Sequence, residues 1–258
     1  LQNSGNDIGS LELTGGAGKN TLQNFGNRIG VINVIGCGVF AASSDTLLNS
    51  GSQIETINVS SGVATSVISS GNRIGSIIVS GSDTADVVQL SGDDLQIIQF
   101  TGNGGNDTLL LQTRSFVGSS VQFLGGSGDD LLVFVGWSDE LLFDGGADND
   151  QIVFAGITNT AIFRGGNGDD LYRFVGTPTG NVTIDEHLSG SNASDLSRDT
   201  LDFSSFTTGP ITLDLAITTP QPQPAPSGGL VITLASGMGI ENVIGTSGAD
   251  TILGNARN

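Results

Sequence analysis

The sequence predicts an all-β chain wound as a right-handed parallel β-solenoid of about 20 residues per coil, with a C-terminal extension of strands and loops. Three observations predict it. The chain is rich in glycine and poor in large rings: 40 Gly in 258 residues, with 12 Phe but one Trp and one Tyr. Such a composition cannot fill a wide core and favours a thin, turn-rich architecture. Two turn patterns recur along the chain at about 20-residue spacing, the signature of a repeat fold. No amphipathic helical run interrupts them.

The first pattern is a turn that opens on glycine, at Gly5, Gly26, Gly51, Gly71 and Gly92. Apolar residues follow at fixed places: Ile8, Leu11 and Leu13 in the first copy, Ile29, Ile32 and Val34 in the second, and so on to Leu95, Ile98 and Phe100. The last two of each set alternate as a strand does. The second pattern ends its turn at Asn20, Asp45, Ser66, Asp86, Asp107, Asp130, Asp150 and Asp170. Two residues beyond each stands an apolar or aromatic residue: Leu22, Leu47, Ile68, Val88, Leu109, Leu132, Ile152 and Tyr172. One repeat is therefore turn, strand, turn, strand. A short strand cannot bury its apolar face alone, but stacked on copies of itself it can.

Four regions follow in order. Residues 1–85 form coils that mostly lack the aspartate, and 86–180 form coils that carry it. From about Thr177 the rhythm breaks, and 181–242 reads as loop and strand: a polar loop over 186–200, then strands at 201–206, 211–216 and 230–235. Between the last two, the segment 218–229 holds four of the six prolines and reads as an exposed loop. Residues 243–258 resume the turn pattern, with Asp250 in the aspartate place.

Charge narrows the function. The formal net charge is −18, from 21 Asp and 5 Glu against 8 Lys and Arg. This argues against nucleic acid and anionic membranes as partners. It points to neutralisation by a cation, or else to a solvated acidic surface. No run of 18 apolar residues is present, so no membrane span is expected. Cys37 is alone, which excludes an internal disulfide and favours a buried thiol. The opening LQNSGND has no leader pattern and reads as a processed piece of a longer protein.

GGSGDDLLV, GGADNDQIV and GGNGDDLYR, with GNGGNDTLL and GTSGADTIL, resemble the glycine-rich nonapeptide GGxGxDxUx, where U is a large apolar residue. That nonapeptide marks the calcium-binding β-roll of RTX proteins. Asp148, Asn103 and Thr246 each replace one of its glycines. The segment DTLDFSSF to IENVIGTSGADTILGN is similar to the stretch leading into the β-roll of serralysin-type secreted proteases and large bacterial surface proteins. The resemblance covers about 86–176 and 199–258. It implies calcium ligands: carboxylates of Asp86, Asp107, Asp130, Asp150, Asp170 and Asp250, with backbone oxygens of Gly102, Gly104, Gly125, Ser127, Gly145, Ala147, Gly165 and Asn167. Family rolls carry two motifs per coil. Here the motif comes once, with WSDE (137–140) and ITNT (157–160) in the other turns, so ions are expected along one edge only. The competing reading of the column is a ladder of Asn/Asp-Gly turns without metal. Asp129 and Asp169 are expected to point outward.

No enzyme is expected. His187, Lys19 and Tyr172 are each the only one of their kind and lie in different regions, and no catalytic motif is present. His187 reads as a solvated loop residue. The expectation is a calcium-stabilised extracellular or cell-surface structural module of a large bacterial protein: an adhesin, surface layer or filament component that folds on meeting calcium outside the cell. Its partners would be further repeats or neighbouring copies through the solenoid ends, with a cell-surface polysaccharide as a further candidate. The alternative is an accessory roll of a secreted hydrolase whose catalytic domain lies elsewhere.

Overall fold

The computed structural model describes residues 1–16, 18–36, 44–114, 118–186, 197–224 and 229–256. Cys37 and His187 lie outside the described residues. The chain is all-β, and its parallel strands stack as a β-solenoid with about 21 residues per turn. Among the described residues no helix is long and apolar enough to cross a membrane.

Each coil gives one strand to each of two ladders. The first ladder runs through Ile8–Thr14, Ile29–Ile35, Ile54–Ser60, Ile74–Ser80, Leu95–Gly104 and Ser120–Ser127. It continues through the second half of Leu131–Ala147, then Ile157–Asn167, Thr179–Ile184 and Leu230–Leu234. The second ladder runs through Gln2–Asn3, Lys19–Asn24, Ser44–Asn49, Thr65–Ser69, Val87–Leu90 and Thr108–Arg114. It continues through the first half of Leu131–Ala147, then Gln151–Phe154, Leu171–Gly176, Thr200–Phe206 and Asn242–Ile244. The long strand Leu131–Ala147 turns the corner and serves both ladders.

Alternation fixes what is buried. On the first ladder Val34, Val59, Val79, Phe100, Phe123, Phe143 and Phe163 stack in register and are buried. The rings of Phe100 and Phe123 lie parallel, with centroids 4.8 Å apart, the coil spacing itself. On the second ladder one inward column changes character along its length. It begins as Asn24, Asn49 and Ser69 and continues as Leu90, Leu111, Phe134, Phe154 and Phe174. The amides form a chain: Asn3 Nδ2 donates to Asn24 Oδ1 at 2.8 Å, Asn24 Nδ2 to Asn49 Oδ1 at 2.8 Å, and Asn49 Nδ2 to Ser69 Oγ at 3.0 Å. Each Asn Oδ1 also accepts the N–H of the glycine two residues on. These buried amides are satisfied, as burial requires.

Glycine opens this turn because of close approach. A β-carbon at Gly26, Gly51, Gly71 or Gly92 would meet the carbonyl oxygen of the same glycine one coil earlier. Two residues later Asp7, Arg28, Gln53, Arg73 and Asp94 all take positive φ, from 55° to 60°.

One register differs from expectation. Thr65, not Ser66, pairs with Asp45, so Val67 is the buried residue and Ile68 is 41% exposed. The turn before it is one residue shorter than the turn of the following coil, 61–64 against 81–85, and a one-residue slip exchanges the faces.

The change of rhythm at Thr177 is one of turn length, not of stacking. Thr179–Ile184 and Leu230–Leu234 extend the first ladder, and Thr200–Phe206 and Asn242–Ile244 extend the second. Strand Gln221–Pro222 lies antiparallel on Leu230–Leu234. A separate parallel pair joins Thr212–Asp214 to Thr251–Leu253. Proline cannot donate to a ladder, so the QPQP run uses its glutamines. The Gln221 side chain accepts from Asp214 N at 2.7 Å and donates to Asp214 O at 2.9 Å. Gln223 does the same for Thr212, at 3.0 and 2.9 Å.

Candidate metal centre

Five of the six aspartates expected as ligands stand in one column along one edge of the solenoid. Each sits one residue before a second-ladder strand, so it points into the turn. Asp86, Asp107, Asp130, Asp150 and Asp170 are each at most 2% exposed. Each carboxylate reaches back one coil through Oδ1. Asp86 N donates to Asp107 Oδ1 at 2.7 Å, Asp107 N to Asp130 Oδ1 at 2.7 Å, Asp130 N to Asp150 Oδ1 at 2.8 Å, and Asp150 N to Asp170 Oδ1 at 2.7 Å. Thr65 N likewise donates to Asp86.

The column extends further than the sequence pattern shows. Asp170 N donates to Asp199 Oδ1 at 3.0 Å, and Asp199 N to Glu241 Oε2 at 3.0 Å. Asp199 and Glu241 follow intervals of 29 and 42 residues, which hides them from any search at a fixed period. Half-buried Glu186 adds a third missed carboxylate, accepting from Gly166 N at 3.2 Å. Its pKa is raised, first by burial and then by Asp199 and Asp170. Asp250 stands apart, beside the small second sheet, where its Oδ1 accepts from Ile211 N and Thr246 Oγ1, both at 2.8 Å.

The second oxygen, Oδ2, separates the middle of the column from its N-terminal end. Asp45 Oδ2 accepts from Ser61 Oγ at 2.7 Å and Asp86 Oδ2 from Ser82 N at 2.7 Å. In Asp107, Asp130 and Asp150 the Oδ2 is buried without a hydrogen-bond partner. The glycine five residues earlier makes room for it. A β-carbon added at Gly102, Gly125, Gly145 or Gly165 would lie under 3.0 Å from Oδ2 of Asp107, Asp130, Asp150 or Asp170. At Gly102 and Gly125 the same point is also under 3.0 Å from the carbonyl oxygen of the next coil's glycine, Gly125 or Gly145. Two acceptors thus face one point, an arrangement that either a proton or a hard cation would satisfy. Burial is the main cause that pushes the carboxyls up, Asp107 to about 7, Asp130 to about 6 and Asp150 to about 8. Hydrogen bonds from the preceding coil oppose the shift, and neighbouring aspartates add to it.

The remaining implied ligands form a neighbouring column. Gly104, Ser127, Ala147 and Asn167 stack in register along the first ladder. Gly104 is buried, while Ser127 and Asn167 are exposed. Asn106, Asp129, Asn149 and Asp169 line the outside of the same turns. Each accepts, through Oδ1, the N–H of its counterpart in the next coil or, for Asp169, of Arg198, at 2.8 to 3.1 Å. The inner column accepts from the coil before and the outer column from the coil after.

Among the described residues no three Asp, Glu, His or Cys side chains form a group able to hold a metal ion. An ion between coils would therefore draw several of its oxygens from the backbone, which calcium accepts. Among the described residues the opposite edge presents no buried carboxylate; its Asp139 is partly exposed and takes hydrogen bonds from Gly118 and Asn159. No protein-family model, curated protein or solved structure matches the chain.

Proposed function

We propose that this chain is a calcium-stabilised structural module of a large secreted or surface-exposed bacterial protein, serving in adhesion, a surface layer or a filament. The observation that carries the reading is the unpartnered, buried Oδ2 of Asp107, Asp130 and Asp150 in a chain of net charge −18. Asp107, Asp130, Asp150 and Asp170, with carbonyls of the Gly102, Gly125, Gly145 and Gly165 turns, would hold the ions. Calcium supplies positive charge between coils and completes the carboxylates' coordination. Without it, ionised carboxylates at coil spacing repel one another in a buried turn. The module would then stay loose at low cytosolic calcium and close outside the cell, where sites of this kind fill at about 10⁻⁴–10⁻³ M.

A second reading has a specific observation behind it. The same carboxyls are pushed to about 6–8, so a protonated Oδ2 would remove the buried charge with no metal and, in Asp107 and Asp130, would have the Gly125 or Gly145 carbonyl on the same side to donate toward. Thermal melting at about pH 8 with calcium and with chelator separates the two. The calcium reading expects a higher melting temperature in calcium and saturable binding by calorimetry. Identical melts with no heat of binding would overturn it and leave the protonated ladder.

A further inference from the structure

We propose that the outward face of the second ladder is a self-association surface, packing against the same face of a second copy of this chain. The proposal does not rest on the metal reading.

Charge distribution singles out this face. In its two central columns no side chain from Thr21 to Leu171, or from Gln23 to Val153, is charged. The first charge reached is Arg173, and it is paired with Asp202 at 2.8 Å. Among the described residues the acids lie elsewhere. The outward face of the first ladder carries Glu12, Glu55, Glu140, Asp144 and Asp185 against Arg164. Asp7, Asp83, Asp93, Asp129, Asp148 and Asp169 are exposed along the edges.

The two uncharged columns are also apolar over adjoining coils, while Lys19 and Arg114 stand exposed at the margins of the same face. Leu110, Val133 and Val153 stack in one column, with Leu131 and Val135 beside them and Ile68 two coils before Leu110. Ile68 is 41% exposed and Val135 is 40% exposed. A contiguous apolar patch on a soluble surface marks an interaction site. The chemistry selects the occupant. Two chains of charge −18 repel over most of their surfaces, and this face is where they meet without juxtaposing acids. Parallel sheets stack face to face about 10 Å apart, and a two-fold operation on a flat face gives a closed dimer. The two central columns carry no aromatic ring between Thr21 and Val153; Trp137, in register with Arg114 two residues beyond Val135, stands at the margin of the face, so the columns themselves lack the stacking platform that sugar rings use.

Sedimentation of the intact chain tests this. A reversible dimer is expected, strengthened as ionic strength rises from about 0.01 to about 0.15 M and the Debye length shrinks from about 30 to about 8 Å. Val133→Glu with Val153→Glu is expected to weaken it at least about tenfold, because the contact would bury unpaired charges. Ile162→Glu, on the other ladder, is expected to leave it intact. Circular dichroism checks folding. Should the glutamate pair unfold the chain, Val133→Thr with Val153→Thr keeps shape and strand propensity and is expected to weaken the dimer in a folded protein. A monomer at about 0.1 mM, or a dimer that ignores the second-ladder variants, would overturn the proposal. So would a monomer retained on an insoluble polysaccharide through Val133 and Val153, which would give the face to a glycan.

Discussion

Oδ2 of Asp130 is one atom with an unusual position: buried, without a hydrogen-bond partner, and facing with the Gly145 carbonyl the space that a β-carbon on Gly125 would fill. Asp130→Asn isolates its role. The amide keeps Oδ1 for the Asp107 N–H and places an N–H where Oδ2 stood, facing the Gly145 carbonyl. In chelator at about pH 8 the variant is expected to melt higher than the parent, a gain of about 1 kcal/mol from pairing a buried polar group. Its calcium-induced rise in melting temperature is expected to shrink. A variant that melts lower in chelator would show that the carboxylate is already satisfied. The glycine partner is tested in the same way. Gly145→Ala puts a methyl against the Asp150 carboxylate and is expected to cost about 1–3 kcal/mol by overpacking. In an Asp150→Ala background the cost is expected to fall, with a coupling of at least about 0.5 kcal/mol. Strict additivity would mean that the two residues do not touch. The sequence places this glycine five residues before its aspartate in every motif copy, so the spacing was visible. A second reason for it was not: besides the carbonyls that the resemblance implies as ligands, these glycines leave, through their missing β-carbons, room for the carboxylate.

The two internal polar ladders differ as elements. The amide ladder of Asn3, Asn24, Asn49 and Ser69 is neutral and self-satisfied. The carboxyl ladder titrates. The folded-state values of Asp107, Asp130 and Asp150, about 7, 6 and 8, lie above the ordinary 3.8. The folded chain therefore holds more protons than the unfolded one between about pH 4 and 8, and its metal-free stability falls as pH rises through that window. Melting in chelator is expected to show this slope, and calcium to flatten it by competing with protons. A metal-free melting temperature that rises with pH would contradict the shifted carboxyls. Asn49→Ala should cost about 2–3 kcal/mol at any pH, because it strands the Gly51 amide and the Asn24 amide inside the coil. Alternation made both apolar columns legible in sequence, and the repeated turn made the aspartates legible. The amide ladder left a trace, Asn-x-Gly at 3–5, 24–26 and 49–51, which reads as an ordinary turn until the coils are stacked. Thr65 and Asp199 escaped because insertions and deletions move the register without changing the local pattern.

Across the whole molecule, the ladders divide the solenoid into a part that holds by amides and apolar contacts, with Asp45 its one buried acid among the described residues, and a part that stacks buried acids coil on coil. Hydrogen exchange is expected to report the division. Chelation should raise exchange over 86–176 more than over 19–80, whereas uniform acceleration would mean that the rod loses order as one unit. Solenoids behave as near one-dimensional chains of neighbour contacts. Here those contacts have a direction: among the described residues the parallel pairings of the two ladders join one coil to the next. Load applied along the axis therefore meets no strand that spans the rod. It is opposed by one coil interface at a time, and each interface that yields frees about 21 residues, or about 70 Å of extended chain. In a pulling experiment the module would act as a shock absorber, lengthening in regular steps. On the proposed reading the steps in the acidic half need more force in calcium than in chelator, so the surrounding ion sets how stiff the tether is.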